Sequence, residues 1–238
     1  MNLTPSADQG MGMIWLFLVL ALIVVALVGA AVWWRRFGNV SVAGVEAHAP
    51  LKLNMGCGNN KLAGFTNVDL FPECNPDQVV DLEAVPWPWK DNSVEKVVFN
   101  HSLEHIGANS RTFLAIMKEL YRVCRADALI VINVPHPRHD QFIGDPTHVR
   151  IISPDVLSLF SKKNNDLWLA EGAANSPLAQ YLGVDFEMED SEIVLDEPYL
   201  TQFNDGSLNS EQLQLVMKEK NNVAVEYRLR LRVRKAGT

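Results

Sequence analysis

Two glycines flank a cysteine at Gly56, Cys57 and Gly58, directly after the short apolar run from Leu51 to Met55. Glycines at a strand end let the backbone turn sharply and approach a ligand with no Cβ in the way. Asp69 and Leu70 close a second short run that starts at Phe65. A carboxylate there can accept both hydroxyls of a ribose. Asp81 and Leu82 follow a third run from Gln78 to Val80, and Asn100 and His101 follow a fourth from Lys96 to Phe99. These polar groups need four short parallel strands to position them. Their ends then converge on one edge of the sheet, the edge where open α/β sheets bind ligands.

The order of the parts is more specific than a glycine turn. LNMGCGNN, then NVDL, then DLEAVPWPWKDNSVEKVVFNHSLEHI closely resembles the class I S-adenosylmethionine-dependent methyltransferases, and within them the small methyltransferase type 11 kind. The resemblance is specific from about Leu51 to about Val134 and looser beyond. It implies an α/β, Rossmann-like fold, with a mostly parallel seven-stranded sheet and an antiparallel C-terminal strand. It also implies S-adenosylmethionine as cofactor and methyl transfer as activity. Residue by residue, Gly56 and Gly58 map to the turn at the methionine part of the cofactor. Asp69 maps to the ribose, and Asp81 with Leu82 to the adenine. Cys57, Leu70 and Asn100 border the same site.

One spacing narrows the cofactor further. Only ten residues separate Gly58 from Asp69. A strand of about five residues leaves no room there for a full helix of about 11. The first helix must shrink to a single turn, which removes the helix N-terminus that would bind phosphate. A sulfonium nucleoside suits this site better than NAD or ATP.

His101-Ser102-Leu103-Glu104-His105 spells HxxEH, the inverzincin metalloprotease pattern. It offers a rival function, a membrane-anchored zinc metallopeptidase. The pattern follows a strand directly and meets Gly107 two residues later, a poor setting for the stable helix such a site needs. A non-catalytic scaffold on a methyltransferase fold is a third reading. It is kept open by Arg125-Ala126-Asp127-Ala128, which stands where the family usually has a Lys-Pro-Gly-Gly turn. The first expectation is an enzyme with His101 as first and His105 as second candidate general base, needed only if the acceptor carries a high-pKa proton.

The segment from Pro135 to Arg150 is dense in chemistry, with His136, Arg138, His139, His148 and Arg150 among prolines. It leaves the sheet at the ligand-binding edge. It reads as a lid over the acceptor, with His136 or His148 orienting or deprotonating it and Arg138 or Arg150 binding an anionic part. A metal site of His136, His139 and His148 matches no strong spacing, and no metal is assigned.

Composition adds a second compartment. Residues 11–34 carry no charge, and Arg35 and Arg36 follow at once. Twenty-four helical residues span roughly 36 Å, enough for a hydrocarbon core of about 30 Å. Trp15, Trp33 and Trp34 sit near the ends, as interfacial aromatics do. No Lys or Arg precedes Arg35, which argues against a signal peptide. The expected organisation is a polar tail at 1–10, a transmembrane helix at 11–34, a linker at 35–50 and a methyltransferase domain at 51–238. The positive-inside rule puts the N-terminus outside and the catalytic domain in the cytoplasm. The acceptor is then a small molecule or a membrane-associated one. A formal net charge of −7 with no dominant basic run makes nucleic acid an unexpected partner. Three widely spaced cysteines suggest neither disulfides nor a CxxC site. Nothing in the composition fixes an oligomeric state.

Further along, apolar spacing predicts a helix from Ser110 to Cys124 and a central strand from Ala128 to Val134. Pro86-Trp87-Pro88-Trp89 reads as a rigid loop whose tryptophans cap the core. Ser153 or Pro154 opens a short helix, residues 161–182 and 198–206 read as loops, and Leu208 to Lys220 as a helix capped by Ser210. Acidic alternation from Val184 to Glu189 and arginine alternation from Tyr227 to Arg234 predict an antiparallel pair with opposite charges adjacent.

Overall fold

The computed structural model describes residues 50–235. The expected tail, transmembrane helix and nearly all of the linker lie outside the described residues. Among those described, no helix is long and apolar enough to cross a membrane.

Seven strands form one sheet: β1 (Leu51–Met55), β2 (Thr66–Asp69), β3 (Gln78–Val79), β4 (Val94–Asn100), β5 (Cys124–Pro135), β6 (Phe186–Leu195) and β7 (Ala224–Val233). Their order is β3-β2-β1-β4-β5-β7-β6. Strands β1 to β5 pair in parallel, and β7 runs antiparallel to both neighbours. This is the mostly parallel Rossmann-like sheet with an antiparallel last strand that the motifs imply. The central strands are near-continuous apolar runs because both faces are covered. Leu53, Met55, Val97, Phe99, Ile130 and Ile132 are fully buried.

Seven helices are described: α1 (Ser110–Val123), α2 (Asp140–Ile143), α3 (Pro154–Ser158), α4 (Lys162–Ala170), α5 (Leu178–Leu182), α6 (Tyr199–Asn204) and α7 (Ser210–Glu219). Helix α1 starts where Asn109 accepts the Thr112 N–H, and it buries Phe113, Ile116, Met117 and Leu120. No helix forms between β1 and β2, as the short spacing requires. Trp87 and Trp89 are buried in the core cluster with their rings edge to face. The indole N–H of Trp87 donates to the Leu82 carbonyl, and that of Trp89 to Gln78.

Several local expectations are corrected. Helices α4 and α5 stand where 161–182 reads as loop, and α6 where 198–206 does. Asn209, not Ser210, caps α7, and its side chain forms a reciprocal capping box with Gln212. Strand β5 begins at Cys124, immediately after α1, rather than at Ala128. The register jumps from Val94↔Cys124 to Lys96↔Leu129, so Arg125 to Ala128 bulge opposite Glu95. The bulge replaces the expected tight turn. Asp127 takes a positive φ of 58° there, and its carboxylate accepts from Arg234.

Strands β6 and β7 pair as their alternation predicts. Glu187 stands opposite Arg232, Asp190 opposite Arg230 and Glu192 opposite Arg228. The Glu189 carboxylate takes both Nε and Nη2 of Arg232, at 2.8 and 2.7 Å. Leu229, Leu231 and Val233 occupy the other face and are fully buried.

Candidate active site

The carboxyl ends of β1 and β2 are tied together by one acid. Asp69 Oδ2 accepts the Gly58 N–H at 2.7 Å, and its Oδ1 accepts the Phe71 N–H at 3.0 Å. Each contact uses one lone pair, and an ionised carboxylate offers about four acceptor sites. Further acceptor sites therefore remain on the largely buried Asp69 carboxylate. Gly56 has φ +67°, and a Cβ there would stand 2.4 Å from the Ser102 Cβ, so only glycine fits against that neighbour. Ser102 is held in place by donating to the Met55 carbonyl at 2.7 Å. Gly58, at φ +48°, has nothing within 4 Å of its would-be Cβ, so its backbone faces open space.

Around this turn, Leu70 and Phe71 are exposed at the end of β2, and Val79 at the end of β3. They offer apolar surface to a flat base. Asp81 is exposed and accepts the Glu83 N–H, whereas Leu82 is buried. Asn100 accepts from the Asn133 amide at 3.0 Å, which links the ends of β4 and β5. Cys57 is buried, with its sulfur 3.2 Å from Lys61 Nζ. The residues at this edge fit a sulfonium nucleoside: a glycine backbone, one acid with spare acceptor sites, apolar side chains and no phosphate-binding helix.

The turn after β4 gathers the expected histidines around an acid. Leu103–His105 is a single 3-10 turn, not an α-helix. The HxxEH peptidase reading is therefore corrected, because its two histidines do not share a helix face. His101 instead has φ +53°, and its Nε2 lies 2.6 Å from Glu226 Oε2. His105 and His148 meet with ring centroids 4.6 Å apart. Glu104 lies among all three: His101 Nδ1 is 3.8 Å and His148 Nε2 4.0 Å from its Oε1. Its side chain is fully buried, and neither oxygen has a hydrogen-bond partner among the described residues. Burial pushes the Glu104 carboxyl up to about 7, with the charges of Asp145 and Glu226 adding to the rise. Burial and the neighbouring His148 lower the His105 pKa.

The loop after β5 divides by role. Val149 N–H and Arg150 N–H both donate to the Glu104 carbonyl, at 3.0 and 3.1 Å, which brings His148 to the turn. Arg150 gives its Nε–H to the Gly107 carbonyl and stacks over Phe113 at 4.3 Å. Arg138 donates to Asn221 and to the carbonyls of Met217 and Lys218, closing the last turn of α7. Both arginines expected to bind an anionic acceptor thus have their guanidinium groups engaged inside the fold. His136 is buried against the Tyr227 ring, and burial followed by the Arg138 charge lowers its pKa. His139 caps α2 and contacts Asp196 at 3.1 Å, so the three histidines once considered for a metal do not form a set. The sequence does not single out Glu226 or Asp145, and it names Glu104 only within the HxxEH pattern. The one local signal was an acid in the middle of a turn flanked by Leu103 and the histidines.

A cavity of about 510 Å³ lies elsewhere. Asp91, Asn92 and Arg122 line it, and these precede β4 and β5, so it opens at the opposite edge of the sheet.

No protein-family model and no curated protein matches this chain. Solved structures do. A SAM dependent methyltransferase from Archaeoglobus fulgidus is 17% identical, over 87% of this chain and 93% of that one, with a TM-score of 0.49. A putative S-adenosylmethionine dependent methyltransferase from Listeria monocytogenes is 11% identical, over 87% and 100%, with a TM-score of 0.44. One from Methanosarcina mazei is 13% identical, over 76% and 90%, with a TM-score of 0.42. Identities and scores this low transfer no residue's role to this chain.

Proposed function

We propose that this chain transfers a methyl group from S-adenosylmethionine to an acceptor at the cytoplasmic face of a membrane. One observation carries the reading: the Gly58 N–H is bonded to Asp69 at the carboxyl edge of a parallel sheet, with no helix between the two strands. That joins a backbone approach for the methionine part to a ribose acceptor and leaves no phosphate site. When bound, the cofactor supplies a methyl group already activated on sulfur.

The protein's task is then mostly alignment, which can contribute about 7–11 kcal/mol of barrier reduction. Asp69 holds the ribose, Leu70, Phe71 and Val79 cover the base, and Asn100 borders the turn. His101 is the group to take an acceptor proton. Glu226 accepts from its Nε2, which orients the ring and leaves the Nδ1 lone pair free. The uncharged stretch 11–34, with Arg35 and Arg36 directly after it, supports a membrane anchor with the domain in the cytoplasm.

The test is calorimetric titration of the purified chain with S-adenosylhomocysteine, followed by a search for methyl label in membranes with and without the protein. Binding with label transfer is expected. Transfer should fall at least tenfold in His101→Ala, about 1.4 kcal/mol of barrier, with cofactor affinity retained. No binding at millimolar S-adenosylhomocysteine would sink the reading.

A further inference from the structure

Glu104 and His105, from the turn after β4, and His148, from the loop after β5, place three possible metal ligands together. One side-chain donor atom from each lies within 4.8 Å of the others. His148 Nδ1 is 3.0 Å from the Phe142 carbonyl, which can only accept. The proton is therefore on Nδ1, and Nε2 presents a lone pair toward Glu104. His105 Nδ1 is 2.9 Å from Thr147 Oγ1, and that hydroxyl already donates to Asp145 at 2.6 Å. The His105 proton is thus also on Nδ1. Each histidine keeps its second nitrogen for a ligand, oriented by an outer hydrogen bond as metal-binding histidines are.

Glu104 completes the set. Its side chain is fully buried, and both oxygens lack any partner among the described residues. A buried carboxylate left this way costs free energy unless something with a positive charge or a proton meets it. We propose that Glu104, His105 and His148 bind one divalent transition-metal ion, with zinc best matched to two imidazoles and one carboxylate.

The geometry is close to what an ion requires. Two tetrahedral ligands at about 2.1 Å from one ion stand roughly 3.4 Å apart. Glu104 Oε1 and His148 Nε2 are 4.0 Å apart, so a small side-chain adjustment closes the pair. The carboxylate of Asp145, 3.8 Å from His148 Nε2, adds negative potential. The backbone is already braced, because Val149 and Arg150 both donate to the Glu104 carbonyl. Three protein ligands leave at least one position for water or an acceptor oxygen. Placing an acceptor oxygen there rests on the methyl-transfer reading, whereas binding of the ion does not.

The experiment uses the untagged full-length chain, stripped with chelator and titrated with zinc alone by calorimetry. Cobalt absorption reports the ligand set. One ion per chain is expected. Glu104→Gln and His148→Ala should each weaken binding by more than the roughly 10–100-fold that loss of an outer partner costs. Zinc should raise the melting temperature of the parent and not of Glu104→Gln. Without metal, Glu104→Gln should melt no lower than the parent, since it removes an unpaired buried charge, so lost binding there is not lost folding. No uptake of zinc or cobalt at millimolar concentration overturns the proposal, as does parent-like affinity in both variants. Because the titration reads metal alone, its failure is distinct from a failure of methyl transfer.

Discussion

Asp69 carries two duties that a single substitution can separate. Its carboxylate fastens the glycine turn through Gly58 and starts the following loop through Phe71. Its unused acceptor sites are those assigned to the ribose. Hydrogen bonds to a charged group are worth about 1.5–3 kcal/mol each. Asp69→Ala should therefore weaken S-adenosylhomocysteine binding about 10–100-fold in calorimetry. Asp69→Asn keeps one carbonyl oxygen for an N–H donor and should hold the turn better while still losing ribose affinity. Parent-like affinity in a folded Asp69→Ala would remove this residue from the cofactor site. The place of Asp69 was legible in sequence because the signal is local: an acid ends a strand soon after a glycine turn. Glu104 was legible only as part of HxxEH, because its burial and its approach to His148 arise only when a loop 44 positions later docks by its backbone on the Glu104 carbonyl.

At the scale of elements, the C-terminal turns of α1 are locked to the loop before β4 by one acid. Glu119 accepts the Trp87 N–H at 2.6 Å and is gripped by Arg122 through Nε at 2.9 Å and Nη2 at 2.6 Å. Arg122 also donates to the carbonyls of Trp87 and Trp89, so the tryptophan loop is tied to the helix that it caps. Arg122 holds the Glu119 carboxyl below the usual range, against the opposing effect of burial. The native pKa is thus depressed below the unfolded value of about 4.3, and the stabilisation is fully present above that value. It is lost as pH falls through the lower native pKa. Glu119→Gln should cost about 1.5–3 kcal/mol near neutrality, and the difference should vanish at the acid end of a urea-unfolding series against pH. A pH-independent difference would locate the coupling elsewhere. The same scale shows why some elements were misread. Helix α4 contains Asn164, Asn165 and Asp166, a composition of weak helix propensity that reads as loop. Tertiary contacts hold it: Ser161 caps it, and Asn165 bonds the Leu159 carbonyl and the Ala179 N–H. Strands β6 and β7 were legible because a period of two puts each charged set on one face whatever lies around it.

On the scale of the whole molecule, the first four parallel strands were legible because each ends on a polar group, whereas their order in the sheet comes from the structure. The membrane reading rests on different physics. Residues 11–34 are uncharged and Arg35 and Arg36 follow, so the charge step lies on one side of the stretch. Translocating those arginines would cost more than translocating Asp8, which fixes the expected orientation. An apolar stretch of about 20 residues or more is long enough to span a hydrocarbon core, which makes 11–34 the candidate anchor. Three measurements follow from this asymmetry. The full chain should sediment with membranes and resist extraction by high salt and alkaline carbonate. A chain lacking residues 11–34 should be released, yet keep S-adenosylhomocysteine affinity, because every group assigned to the cofactor lies from Gly56 onward. Cys74, only part-buried just after β2, should react with a membrane-impermeant maleimide in opened cells and not in intact ones. Labelling of Cys74 in intact cells would reverse the orientation, and release of the full chain by alkaline carbonate would remove the anchor altogether.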